Sequence, residues 1–385
     1  MVVKVSKPEI NVREKISELD KPSGIAGEAM LRAETPQEQQ SLIGTSNRNI
    51  IINGDFQVSQ RATSSTAAGY QTVDRFRNAH GGLGGITQSL TEDGPSFAGH
   101  RNSYKMLATS AVGSVPAGAD PWVKYEVESR DIECLNLHTW KKELTLSFWI
   151  RTNKPGQHSI SMNSGNFSGY VYTKAYSIVS QEWQKVTVVF PPPPGNMPSG
   201  VYGLRLYWSL GAGSTYQHAY SATEKWLTGV GKYEVEGNTR IAGVNNAYIQ
   251  IAGVQLELGS VATPFKHRSF GEELALCQRY CIDLTPTTSP YLPGTAAAAN
   301  GTVAVLHLSF PTTMRAQPNL TSLGSPSNFR LYNGGTHTVT AYAVNGLSQV
   351  GGGINFVVSS GITAGQAIGV YTAGDTRSIL SAELP

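Results

Sequence analysis

Residues 144–152 read LTLSFWIRT and residues 246–258 read NAYIQIAGVQLEL. Both are rich in β-branched and aromatic side chains with partial alternation, the pattern of a β-strand packed on one face. Four more stretches of this kind lie around them: SYKMLAT (103–109), WVKYEVES (122–129), EWQKVTVVF (182–190) and GLRLYWSL (203–210). Pro191 to Pro194 end one of these strands, because proline cannot donate to a ladder. The series opens abruptly at NIIINGDFQVSQR (49–61), a strand-like apolar run followed by an Asn-Gly turn signal. Short strands with turns between them predict a two-sheet sandwich of jelly-roll type over residues 49–268.

The flanks read differently. Residues 1–48 are polar and poor in aromatics, so an extended or helical arm is expected there. Within it, AETPQEQQSLIGT (33–45) places Thr35 at an N-cap, Pro36 at the first helical position, Glu38 in a capping box and Gly44 at the end. This helix offers only Leu42 and Ile43 as strong apolar anchors and is too short to stand alone, so Thr35, Leu42 and Ile43 are read as an attachment element that docks on a partner or on sister chains. After the sandwich, RSFGEELALCQRYC (268–281) carries a second capping box, Ser269 with Glu272. Phe270, Leu274, Cys277 and Cys281 recur there at steps of four, three and four. Such a stripe suits a short three-helix collar over 269–283 in a homotrimer, and it equally suits packing on the chain's own sandwich. Beyond the connector LTPTTSPYLPGTAAAANG (284–301), strands such as VAVLHLSFP and GINFVVSSG predict a small C-terminal all-β domain over 284–385, the tip. From residue 284 onward the only charged side chains are Arg315, Arg330, Asp375, Arg377 and Glu383, as expected of a domain whose surface meets an oligomer partner or a neutral ligand. The fold class is therefore mainly β: arm, sandwich, short helix, second β-domain.

Composition narrows the function. A formal charge of +3 over 385 residues, with scattered lysines and arginines, leaves no nucleic-acid footprint. No run approaches a membrane span, and MVVKVSKPEINVREK lacks the apolar core of a secretory signal. Cys134, Cys277 and Cys281 read as reduced thiols. No zinc-binding histidine spacing and no G-x-S-x-G elbow occur, and in GVGKY (229–233) Tyr233 replaces the Ser or Thr of a phosphate loop. The acids Glu126, Glu128, Asp131 and Glu133 read as a solvated strand face rather than a glycosidase pair. No enzyme, metal or cofactor is expected.

Aromatic residues point to sugars, whose C–H faces stack on rings while their hydroxyls need amides nearby. MNSGNFSGYVYTKAY (162–176) combines Asn163, Asn166, Tyr170 and Tyr172. A similar mixture follows Trp208 in SLGAGSTYQHAY, with Tyr216 and Tyr220, and Trp226 lies a little further on. These eight residues are the glycan candidates, whereas Trp149 and Trp183, both inside strong strands, are expected in the core.

The segments NIIINGDFQVSQR, LTLSFWIRT, EWQKVTVVF and IQIAGVQLELGSVATPFKHRSFGEELALCQRYC together resemble phage virion proteins of the tail-fibre or minor structural type, over roughly Asn49 to Cys281. The arm, INVREKISELDKPSGIAGEAMLRAETPQEQQSLIG, resembles N-termini of structural proteins from phages of marine and cyanobacterial hosts. The sandwich also resembles carbohydrate-binding modules that open with N-G-D-F-E and close with D-V-x-L-E, some of which hold a structural calcium through acids in those two places. Here Gln57 and Gly253 stand where two of those acids fall, while Asp55 and Glu257 remain. The resemblance implies glycan or cell-surface binding. With the helix stripe, the uncharged C-terminal domain, the reduced thiols and the polar arm, the expectation is a trimeric tail fibre, assembled in the host cytoplasm, docked on other virion proteins by its arm and binding host surface glycans. A capsid decoration protein, a tail adaptor and a polysaccharide depolymerase are the alternatives.

Overall fold

A computed structural model describes residues 49–133, 142–164, 169–192, 202–219, 224–228, 231–285, 291–322, 324–372 and 378–384. Residues 49–385 form one compact unit. The attachment candidates Thr35, Leu42 and Ile43 lie outside the described residues, as do Asn166, Tyr220 and Cys134.

The chain is mainly β, as expected. Among the described residues two six-stranded antiparallel sheets form the sandwich. The first runs Ser64–Ser65, Ile86–Thr91, Ser103–Ala108, Tyr248–Leu258, Leu144–Thr152, Gln184–Phe190, and the second runs Trp226–Thr228, Tyr170–Ile178, Gly156–Ser164, Tyr202–Ser209, Asp120–Glu128, Phe76–Gly81. The period of two decides which side chains meet between them. Leu144, Leu146, Phe148 and Ile150 face inward from one sheet, and Tyr125, Val127, Leu204, Leu206 and Trp208 from the other. Phe148 and Trp208 meet edge to face at 5.6 Å, and Phe76 lies 5.0 Å from Tyr125.

The opening segment, read as strand-like, is instead an extended lead into a turn at Ile52–Asp55 that is sewn to the closing strand. Ile50 donates to Leu256 O at 2.9 Å, Val254 donates to Gly54 O at 2.8 Å, and the Asn49 amide bridges Val254 O and Leu256 N. A Cβ on Gly54 would lie 2.1 Å from Val254 O, so only glycine lets the two backbones approach this closely. Opposite it, the closing strand bulges between Ala252 and Gln255, with Gly253 at φ +55°.

The helix Phe270–Gln278 has the expected Ser269–Glu272 capping box, but its packing corrects the collar reading. Glu273, 3% exposed, accepts the Asn53 backbone N–H at 2.5 Å and pairs with Arg268 at 3.2 Å. This contact turns the following residues at helical spacing, Cys277 together with Tyr280, onto Ile52 and Val58. Cys277 is buried within its own chain, Leu274 is partly buried against the same cluster, and Phe270 is 56% exposed. Cys281 is not helical at all: it begins the strand Cys281–Asp283, which pairs with Ile379–Ser381 near the end of the chain. The stripe is thus occupied from within and does not offer four residues to sister chains.

The second β-domain has its own core around Leu306, Phe329, Phe356 and Ile368. Its described strands form a seven-stranded and a three-stranded sheet. The seam with the sandwich is ionic and aromatic. Arg75 donates to Glu383 at 2.6 Å and to Glu126 O at 2.6 Å, with its guanidinium 3.5 Å from the Tyr280 ring centre. Arg279 pairs with Glu128 at 2.8 Å, and Arg315 of the second domain reaches the same carboxylate at 3.6 Å. Of the acids read as a solvated face, Glu126 and Glu128 are buried and Asp131 is half-buried. Glu126 is fully buried between Lys124 at 2.7 Å and Arg205 at 2.9 Å, because a second layer of side chains lies over this sheet.

Candidate functional site

Most of the sequence-chosen aromatic residues turn out to fill the molecule. Trp208 and Tyr172 belong to the sandwich core, and Asn163 is buried at 2% exposure. Trp226 packs on that core 5.4 Å from Tyr172, and its indole N–H donates to Pro191 O at 2.9 Å. Tyr216 sits 5.5 Å from Tyr233 in a separate aromatic layer with Trp122 and Tyr207. Tyr170 is half-buried, and its backbone N–H donates to the Ser164 hydroxyl oxygen at 3.0 Å. Among the described candidates, Trp208, Tyr172 and Asn163 offer no open stacking surface, because rings on strands with inward neighbours are recruited to the core before they can serve a ligand.

The open aromatic surface lies on the outer face of the other sheet. In Leu144–Thr152 the residues that alternate with the core leucines are Thr145, Ser147, Trp149 and Arg151, so Trp149 is half-buried on the outside, contrary to the core expectation. Trp183, just before the strand Gln184–Phe190, is likewise half-buried and outside. Phe97, 73% exposed, stands edge-on to Trp149 at 5.3 Å. Between Phe97 and Trp183 opens a groove of about 560 Å³ whose walls include Glu92, Asp93, Arg101 and Arg151. That volume falls inside the roughly 300–1,000 Å³ of small-molecule sites.

The polar floor of the groove is already ordered. Arg151 lies 4.9 Å from the Trp183 ring centre, donates to Asp93 at 2.5 Å and clasps the Gln250 carbonyl at 2.7 and 3.0 Å. The Gln250 amide then donates to Asp93 at 2.8 Å and to Ser103 at 3.1 Å. Partial burial alone would raise the Asp93 pKa. Hydrogen bonds from Thr91, Gln250 and Ser103, with the charge of Arg151, outweigh it and bring the carboxyl to about 2. Asp93 is thus an anionic hydrogen-bond acceptor at neutral pH. The loop that supplies Phe97 reads TEDGPSFAGHR (91–101), and its signal in sequence was an aromatic residue inside a Gly- and Pro-bearing turn.

At one end of the groove His100 leads to a second cluster. The imidazole Nδ1 of His100 lies 2.5 Å from Asp55 Oδ1, and His267 Nδ1 lies 3.3 Å from Asp55 Oδ2. Phe265 stands edge-on to His100 at 4.8 Å. The three residues come from the opening turn, the groove loop and the tail after the closing strand, 212 positions apart at the extremes by numbering (267 less 55).

No protein-family model matches the chain, and no curated protein matches it. Solved structures similar to part of it include the enzymatically active domain of bacteriophage CBA120 tailspike protein 4, at 12% identity and TM-score 0.30, covering 55% of this chain and 21% of that one. Another is the CBM22-1 xylan-binding domain from Paenibacillus barcinonensis Xyn10C, at 10% identity and TM-score 0.27, covering 52% and 94%. A third is TmCBM61 in complex with β-1,4-galactotriose, at 11% identity and TM-score 0.27, covering 55% and 99%.

Proposed function

We propose that this chain is a non-catalytic glycan-binding protein of a phage particle, and that it holds a saccharide in the groove between Phe97, Trp183 and Arg151. The observation that carries this reading is the pairing of exposed rings with a pre-ordered polar floor. Phe97, backed edge-on by Trp149, and Trp183 supply stacking surface, while Arg151 and Asp93, fixed by one another and by the buried Gln250, keep directed hydrogen-bonding groups beside it. Groups held in place before binding spend less free energy on ordering when a ligand arrives.

Asp93 in this floor does not supply the proton donor of glycoside hydrolysis. That reaction needs a carboxylic acid kept protonated near neutral pH. Asp93 is held ionised instead. The virion setting rests on the resemblance of residues 49–281 to phage structural proteins, and on that reading residues 1–48 are the attachment arm.

Titration calorimetry of the full chain against oligosaccharides released from host envelope polysaccharide tests the binding. Saturable binding that is lost in Trp183→Ala supports the proposal, and equal binding by that variant overturns the choice of groove. Release of new reducing ends during incubation with the intact polysaccharide would overturn the non-catalytic part.

A further inference from the structure

The Asp55–His100–His267 cluster is shaped as a ligand set. One atom from each residue can be chosen so that all lie within 4.8 Å of one another. Asp55 and His100 are buried, whereas the His267 side chain is 48% exposed, leaving a face for water or a further ligand. The backbone makes room for the rings. A Cβ on Gly253 would lie 2.5 Å from the His100 ring, and one on Gly99 would lie 3.4 Å from His267 Nε2. Gly253 is also the bulged residue of the closing strand, so the bulge and the imidazole occupy one another's space.

We propose that Asp55, His100 and His267 bind a divalent transition-metal ion such as zinc. Two imidazole nitrogens and one carboxylate oxygen suit zinc and its neighbours, whereas calcium takes oxygen ligands. Tetrahedral bonds near 2.0–2.1 Å place ligand atoms about 3.3 Å apart. The Asp55 carboxylate faces the two rings with one oxygen each, Oδ2 3.3 Å from His267 and Oδ1 2.5 Å from His100. A set of one atom per residue, now spread over up to 4.8 Å, closes by about 1.5 Å onto the ion. Bound there, the ion ties the opening turn, the loop that carries Phe97 and the tail after Leu258 into one unit. The proposal does not depend on sugar binding.

The test uses the full chain, stripped with a chelator and titrated with zinc chloride, then with cobalt(II), whose visible absorption reports its coordination. The expected result is one equivalent of zinc bound, a rise in the thermal midpoint, and affinity lower by at least about tenfold in His267→Ala. His267 is half exposed, so that variant keeps its fold, which circular dichroism checks. Unchanged zinc affinity in His267→Ala, binding of calcium in place of zinc, or no zinc uptake at micromolar concentration would each overturn the proposal.

Discussion

Arg75 and Glu383, 308 positions apart, share an ion pair 2.6 Å long whose side chains are 1% and 5% exposed. The seam between the two β-domains is built on it. Glu383 is shared with Arg61 at 3.4 Å, and the other guanidinium nitrogen of Arg75 reaches Glu126 O. Removing one partner strands a buried charge, at a cost of about 3–5 kcal/mol. Glu383→Ala is therefore expected to lower the urea midpoint strongly, while Arg75→Met with Glu383→Leu recovers much of the loss. A midpoint in Glu383→Ala equal to the parent's would show that the seam does not need the pair.

The groove and the core make opposite demands on aromatic residues. Phe97→Ala and Trp183→Ala are expected to leave the melting temperature within a few degrees of the parent while weakening saccharide binding by roughly tenfold or more. Trp208→Ala, at a site 1% exposed in the core, is expected to cost about 3–5 kcal/mol of stability. Comparing binding isotherms with melting curves for the three variants separates the roles.

Two buried histidines set an acid limb. Burial lowers the pKa of His158, whose Nε2–H donates to Lys154 O at 3.0 Å, and of His218 in the same direction. The folded chain holds these rings neutral, whereas the unfolded chain takes up protons below about pH 6.5. Stability is therefore full above that pH and declines as pH falls through it, until the folded-state pKa is passed. For His158 the decline is at most about 1.4 kcal/mol per pH unit. In His158→Gln the slope of unfolding free energy between pH 7 and 5 should flatten. An unchanged slope would assign the acid limb to other groups.

The thiols of Cys277 and Cys281 are both buried, and burial pushes each well above its usual pKa. A Cys134→Ser variant is therefore expected to resist labelling by an aromatic disulfide reagent in the native state and to react with two equivalents in denaturant. Fast native labelling would mean that the helix does not pack on Ile52 and Val58.

The β-class, the sandwich strands and the Ser269–Glu272 cap were legible because each is written in local spacing. Which rings face out was not. Trp149 and Trp208 sit in similar strand contexts, and only the partner sheet decides that Phe148 and Trp208 meet inside while Trp149 stays outside. The acids of Asp120–Glu128 were misread for a related reason. Their cover comes from residues such as Arg205 and Arg279, distant in sequence, and alternation alone cannot announce a second layer. Asp55, His100 and His267 have no common spacing, so nothing but the fold brings them together.

The Arg75–Glu383 pair also imposes an order on synthesis. While the sandwich emerges from the ribosome, its arginine has a pocket but no counter-ion, and the acid arrives 308 residues later. Until then the nascent chain carries a latent instability, so a product cut short before Glu383 would be conspicuous to proteases. Glu383, two residues beyond the strand Ile379–Ser381, thus closes the seam only after nearly all of both domains has been made.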